Sequence, residues 1–234
     1  QMIDIYLYSE EELLSGKVPP QNIEAAETLL QELRSKFVSM RSEVLQALLL
    51  IAKGGSSNLD KGCTQLEQLL NNKPYYVPGI LACAVGKHLQ GSQQNAFQLL
   101  SRLDEIAYTN EFAEDMERGW LMKAELDLQS KKLQSAQELL HKCLRYNQSC
   151  AKAKELLGSI KERENNHKEA SAYYEAAWNL SHSASVGFRL AFNYLKENKF
   201  LQAIDVSKQV LKRYPDYPRI KKEILEKSRE ALRP

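Results

Sequence analysis

The chain holds only four cysteines in 234 residues, Cys63, Cys83, Cys143 and Cys150. They are too few and too unpatterned for a disulfide framework, so a reducing compartment is the default. His141, Cys143 and Cys150 supply at most three metal ligands with no fourth at closed spacing, and neither a metal nor another cofactor is expected. Long apolar runs are missing too. The longest nearly apolar stretch, 44–52, contains Gln46 and falls far short of the ~20 residues of a membrane span, which argues against direct membrane insertion. Neither sign of charge dominates: 32 Lys and Arg against 30 Asp and Glu leave +2, a poor basis for neutralising the phosphates of a nucleic acid. No G-x-x-x-x-G-K-[ST], H-E-x-x-H or G-x-S-x-G motif occurs, so no enzyme is expected. Gln1 opens an apolar run without initiator, basic segment or cleavage site, and reads as the start of a piece of a longer chain.

What is present is ordinary globular composition, 43% apolar and 26% charged, organised by a period. Small residues recur in pairs twelve apart: Ala84 with Ala96, Ala124 with Ala136, Gly158 with Ala170, Ala191 with Ala203. The pairs themselves recur after 34, 34 and 33 residues from Ala124 to Gly158, Ala136 to Ala170 and Ala170 to Ala203. Two helices of about a dozen residues, crossing where the small side chains meet, produce this spacing. Around the pairs stand Trp120, Leu140, Leu157, Tyr174, Ala177, Leu190, Tyr194 and Phe200, with Pro215 closing the last unit. An earlier unit is legible in Leu49, Leu50, Leu59, Gly62, Leu66, Leu69 and Pro74. Together these form the tetratricopeptide pattern, a helix-turn-helix repeat whose single hairpins cannot bury their apolar faces and therefore stack. The expected fold is all-α, a tetratricopeptide-repeat solenoid built as a right-handed superhelix of antiparallel helix pairs. Its expected divisions are 1–42 (the end of a preceding helix, a loop and one helix), then repeats 43–76, 77–116, 117–150, 151–183 and 184–217, and a capping helix at 218–234. Register places Cys83 and Cys143 at small packing positions, while His88, His141, His167 and His182 read as surface residues.

Three segments depart from strict repetition. The step from Ala96 to Ala136 is 40, and the six extra residues read as an extended first helix over 110–129. There Phe112, Met116 and Trp120 share one stripe, and Glu111, Glu114, Asp115 and Glu117 face the positive end of the helix dipole. Either the acids only compensate that dipole, or the extension is a docking element with Phe112 and Met116 as partner-binding residues. At the N-terminus, 22–37 carries Ile23, Ala26, Leu30, Leu33 and Phe37 at helical spacing after a break at Gly16, Pro19 and Pro20, and 1–14 reads as the tail of a preceding helix. Residues 1–33 hold seven acids and one base. At the other end, Ile220, Ile224, Leu225, Ala231 and Leu232 lie on one side of a capping helix. Residues 208–234 carry nine bases and four acids. Either this is a solvated cap, or Lys208, Lys212, Arg213, Lys221 and Lys222 form a site for an anionic partner.

Chaperone-type tetratricopeptide domains grip an acidic tail with Lys and Asn on their first helices; the corresponding positions here are Glu155, Ser159, Phe188 and Phe192, so that clamp is absent. Phe188, Phe192 and Leu195 either grip a hydrophobic partner or pack against the cap. A pentatricopeptide RNA reader would need a basic groove, and the alternating charges provide none.

Particular runs resemble the C-terminal part of the tetratricopeptide repeat protein 21 family. They are Met2-Ile-Asp-Ile-Tyr-Leu7, Cys143-Leu-Arg-Tyr-Asn-Gln-Ser-Cys150-Ala-Lys-Ala153, Tyr174-Glu-Ala-Ala-Trp178, Leu190-Ala-Phe-Asn-Tyr-Leu-Lys196, Ala203-Ile-Asp-Val206, Tyr214-Pro-Asp-Tyr-Pro218 and Ala231-Leu-Arg-Pro234. The resemblance implies a non-enzymatic scaffold, part of a subunit of intraflagellar transport complex A. It implies WD40- and tetratricopeptide-containing subunits as partners, a link to a tubby-related adaptor, retrograde transport in the cilium, and location at axoneme, basal body and cytoplasm. The rival expectation is a free cytosolic tetratricopeptide adaptor for short peptide segments.

Overall fold

The computed structural model describes residues 18–36 and 38–233. The expected helix tail at 1–14, the Met2–Leu7 run, five of the eight charges counted in 1–33 and the ring of Phe37 lie outside them. Among the described residues all regular structure is helical. In chain order the helices are α1 (Pro20–Lys36), α2 (Met40–Lys53), α3 (Ser56–Asn72), α4 (Val77–Leu89), α5 (Gln93–Ser101), α6 (Ala113–Gln129), α7 (Leu133–Tyr146), α8 (Ala151–Arg163), α9 (His167–Ser181), α10 (Ala184–Lys196) and α11 (Phe200–Arg213). Short 3₁₀ turns at Arg102–Asp104 and Asn110–Phe112 lie between α5 and α6. The terminal helix runs as Pro218–Ile220, a π-helical stretch Lys221–Leu225, and Glu226–Ala231. The described residues divide into two compact units, up to Leu126 and from Asp127 on. None of the described helices is long and apolar enough to cross a membrane.

Each unit is built from sequential helices packed on their neighbours. In the first, α2 packs on α3, α3 on α4 and α4 on α5; in the second, the chain of contacts runs α7, α8, α9, α10, α11 and then the terminal helix. Both members of every twelve-residue pair are buried, and the glycine among them shows why they must be small. At Gly158 an added Cβ would stand 2.9 Å from the Tyr174 ring, so the backbone of α8 lies directly against an aromatic side chain of α9. Gly62 is similar, with an added Cβ 2.8 Å from both the Ala47 carbonyl oxygen and Ile51. Trp120 and Tyr174 are the bulkiest fully buried side chains, Leu157 and Ala177 are buried with them, and Tyr194 is nearly so. Trp120 stacks on Tyr108 with ring centroids 6.2 Å apart. Pro215 is exposed at the exit of the last hairpin.

The turns inside the hairpins repeat as strictly as the small pairs do. Gly91, Lys131, Asn165 and Asn198 all have positive φ, near +78°, +60°, +58° and +58°. After each, the next residue's amide reaches back five residues: Ser92 to Lys87, Lys132 to Asp127, Asn166 to Lys161, Lys199 to Tyr194. This is a Schellman closure, in which a left-handed residue allows the chain to satisfy the last carbonyls of one helix before starting the next.

The long step between Ala96 and Ala136 is divided differently from the single extended helix expected over 110–129. Helix α5 stops at Ser101, the 3₁₀ turns and a link at 105–109 follow, and Phe112 meets Tyr76 edge-on at 5.9 Å. Only then does α6 begin, eleven residues before Ala124, where α8 and α10 begin seven before Gly158 and Ala191. One added helical turn and a looped connection therefore share the insertion.

In the terminal helix the buried stripe is Ile220, Ile224 and Leu225, continued by Ser228. Ala231 and Leu232, expected on that stripe, are exposed because the helix ends at Ala231, one turn beyond its last buried position.

Candidate protein-interaction surface

The end of the second unit is assembled on α10. Ser183 caps it, its hydroxyl accepting from the Val186 amide at 3.3 Å. Gly187 then brings α10 close to both neighbours: an added Cβ would lie 2.4 Å from Val210 of α11 and 2.6 Å from the Trp178 ring of α9. Ala170, Tyr174, Trp178, Val186, Leu190, Ala191, Ala203 and Val210 form one core, and Ile220 and Ile224 of the terminal helix close it. Phe188, Phe192 and Leu195 are partly buried against this core. Phe188 meets Tyr217 edge-on at 6.1 Å, and the Arg219 guanidinium stands 5.2 Å from its centre. For Phe188 the geometry supports packing against the cap, while Phe192 and Leu195 are partly buried against the core that the cap closes.

A polar network fixes α8, α9 and α10 to one another. The Glu162 carboxylate accepts from the Tyr174 hydroxyl at 3.0 Å, from the Asn193 carboxamide at 3.2 Å and from Arg189 at 3.4 Å. Asn193 is fully buried; its amide also donates to the Arg189 carbonyl, and its oxygen meets His167 Nδ1 at 2.8 Å. Burial first, and the Glu162 charge second, push the Tyr174 phenol well above its ordinary range, so it remains a donor. Glu155, at a clamp position, is half-buried beside Lys152, another reason an acidic tail finds no grip there.

The cations expected at this end are all displayed. Lys208, Lys212, Arg213, Lys221 and Lys222 are exposed, and no carboxylate partner stands beside them among the described residues. Their neighbours are different: Lys199 pairs with Glu197 at 2.8 Å and Arg219 with Glu223 at 2.9 Å. Lys208 and Lys212 lie one turn apart on α11, and Lys221 and Lys222 lie on the terminal helix that packs on α11. Uncompensated surface cations of this kind attract an anionic partner over roughly a Debye length, about 8 Å at physiological salt.

The extension in the first unit does not present what its sequence suggested. Met116 is fully buried and therefore unavailable to a partner, and Phe112 is half-buried against Tyr76. Asp115 is almost buried and pairs with Arg41 at 2.7 Å, so one of the supposed display acids is a packing element. Three histidines likewise depart from the surface assignment. His167 is half-buried in the polar network, and His182 sits in a left-handed conformation, its ring edge-on to Trp178 at 5.0 Å. His88 is also half-buried, while His141 is exposed. All four cysteines are buried and unbridged, and burial pushes the Cys83 thiol up to about 12. Cys150 caps α8, its sulfur accepting from the Ala153 amide at 3.4 Å.

Known proteins resemble this chain throughout. The family model described as the tetratricopeptide repeat protein 21 C-terminal ARM domain matches residues 25–229. Tetratricopeptide repeat protein 21A of Homo sapiens is 38% identical over 218 residues, 92% of this chain and 16% of that protein. Tetratricopeptide repeat protein 21B of Mus musculus is 34% identical over 254 residues, covering all of this chain and 19% of that protein. The chain thus spans less than a fifth of the length of these relatives. Among solved structures, MamA superposes with a TM-score of 0.61 at 15% identity, over 76% of this chain and 96% of MamA. A chain of the APC/C hetero-tetramer Cut9–Hcn1 gives 0.66 at 13% identity, over 97% of this chain and 43% of that one. At such identities the likeness is one of fold, a stack of helical hairpins.

Proposed function

The chain belongs to the tetratricopeptide repeat protein 21 family, and from that membership we propose that it is a non-catalytic scaffold segment of an intraflagellar transport complex A subunit. On this reading it works in the cilium, at axoneme and basal body as well as in the cytoplasm, in retrograde transport and in uptake of cargo through a tubby-related adaptor. Its partners are the WD40- and tetratricopeptide-containing subunits of the same complex. The observation that carries a docking role is the end of the second unit. A finished apolar core is closed there by the terminal helix, and five exposed cations stand outside it without partners among the described residues. Charges that contribute nothing internally are free to set the orientation and rate of an encounter.

The test is recovery of complex A subunits by the chain and by a variant carrying Lys208→Glu, Lys212→Glu, Arg213→Glu, Lys221→Glu and Lys222→Glu. Loss of recovery with a melting temperature within a few degrees of the parent supports the reading. Equal recovery by both removes the cations from it, and no recovery by either counts against the complex A assignment. Deleting 208–234 is a poorer test, since it would also uncover the core that Ile220 and Ile224 close.

A further inference from the structure

The first unit contains a concave site, separate from the cations just described. Its walls are α3 and α5, each packed on α4, which forms the floor. From α3 come Glu67, Leu70 and Asn71; from α4 Cys83 and Lys87; from α5 Asn95, Gln98 and Leu99, with Arg102 just after it. Asn95, Gln98 and Arg102 follow at i, i+3 and i+7, so one helical stripe delivers two carboxamides and a guanidinium to the same wall. The cavity measures about 250 Å³.

Its charges are not balanced. Lys87 is spent on Glu67 at 2.5 Å, and that hydrogen bond holds the Lys87 ammonium above its usual range. Arg102 is half-buried and has no carboxylate partner among the described residues. Its charge reaches the floor, where it opposes the rise that burial imposes on the Cys83 thiol. The neighbouring acids are otherwise engaged, Asp104 by Lys123 and Glu105 by the Tyr75 hydroxyl at 3.2 Å. Asn71, Asn95 and Gln98 are exposed.

These groups select a ligand chemistry. A carboxamide offers a donor and an acceptor side by side, the complement of the N–H and C=O of an extended main chain. A guanidinium with free donors matches a carboxylate bidentately. The volume is below the ~300–1,000 Å³ of typical small-molecule pockets, so a segment lying along the helices with one side chain inserted fits better than a compact ligand. We propose that this cavity docks an extended acidic peptide segment, its main chain held by Asn71, Asn95 and Gln98 and one Asp or Glu side chain held by Arg102.

A phage-displayed library of random heptapeptides panned on the chain supplies the probes, which are then synthesised and titrated by fluorescence anisotropy. Recovered peptides are expected to share an Asp or Glu. Changing that residue to its amide, or Arg102→Gln in the protein, should each weaken binding about tenfold or more, and the two together no further than either alone. Asn95→Ala, at an exposed position, should weaken binding independently of that acid. Failure to recover peptides, recovered peptides without a shared acid, or an acid preference that survives Arg102→Gln would each overturn the assignment. None of the five cations at the chain's other end lines this cavity, so the result is independent of the complex A recovery experiment.

Discussion

The Tyr174 ring lies against Gly158, so close that three of its carbons stand 2.9–3.0 Å from where a Cβ would be. Tyr174 is fully buried and its hydroxyl is tied to Glu162, so the ring has nowhere to retreat. Gly158→Ala therefore forces α8 and α9 apart. Alanine's better helix propensity returns up to about 1 kcal/mol, while overpacking costs about 1–3 kcal/mol. The expected outcome is a net loss of up to about 2 kcal/mol in a urea melt; a gain would show that the two helices have slack at this crossing.

Lys131 is the member of the four-turn series that is neither glycine nor asparagine. At φ near +60° its Cβ is strained by about 1 kcal/mol relative to glycine. Lys131→Gly should raise stability by up to about 0.5 kcal/mol, after the entropy that glycine adds to the unfolded chain is subtracted. Asn165→Ala at the equivalent turn should lower stability by a similar amount. Chemical denaturation of the two variants beside the parent decides both, and opposite signs are the signature of the shared turn.

Burial lifts the Cys83 thiol from its ordinary value near 9 to about 12 and the Tyr194 phenol from about 10 to about 12. Below about pH 9 folded and unfolded chains both keep these protons, and the stabilisation is intact. Between 9 and 12 the unfolded chain releases protons that the folded one retains, so stability falls as pH rises. The melting temperature should be level from pH 7 to about 9 and decline above it, with a shallower decline in Cys83→Ala. An unchanged slope in that variant would remove Cys83 from the account.

The repeat was legible because its signal is local: small residues twelve apart, and a period near 34, survive in one dimension. The turns were not, since Lys131 carries no mark of a left-handed residue and only its alignment with Gly91, Asn165 and Asn198 makes the pattern visible. The polar network was hidden for another reason. Glu162, Tyr174, Arg189 and Asn193 come from three helices, and no spacing rule joins a carboxylate to partners twelve, 27 and 31 residues away. Met116 misled because an apolar residue in an inserted segment reads equally well as core or as bait, and its complete burial decides for core. Lys208, Lys212, Arg213, Lys221 and Lys222 were readable as residues, but that no carboxylate stands beside them among the described residues is a property of three-dimensional packing alone. The cavity beside Arg102 left no sequence signature, because its groups are an ordinary solvated helix face until α3 and α4 enclose them.

The terminal helix has a consequence for assembly. A stack of hairpins is a template at its open end, where the next hairpin, or a hairpin from another molecule, adds by the same contacts, as subunits add to a growing filament. With Ile220, Ile224 and Leu225 seated on that face, addition by the repeat's own mode requires their removal first. Association on the face these residues cover must therefore proceed by a different set of contacts from those that built the stack.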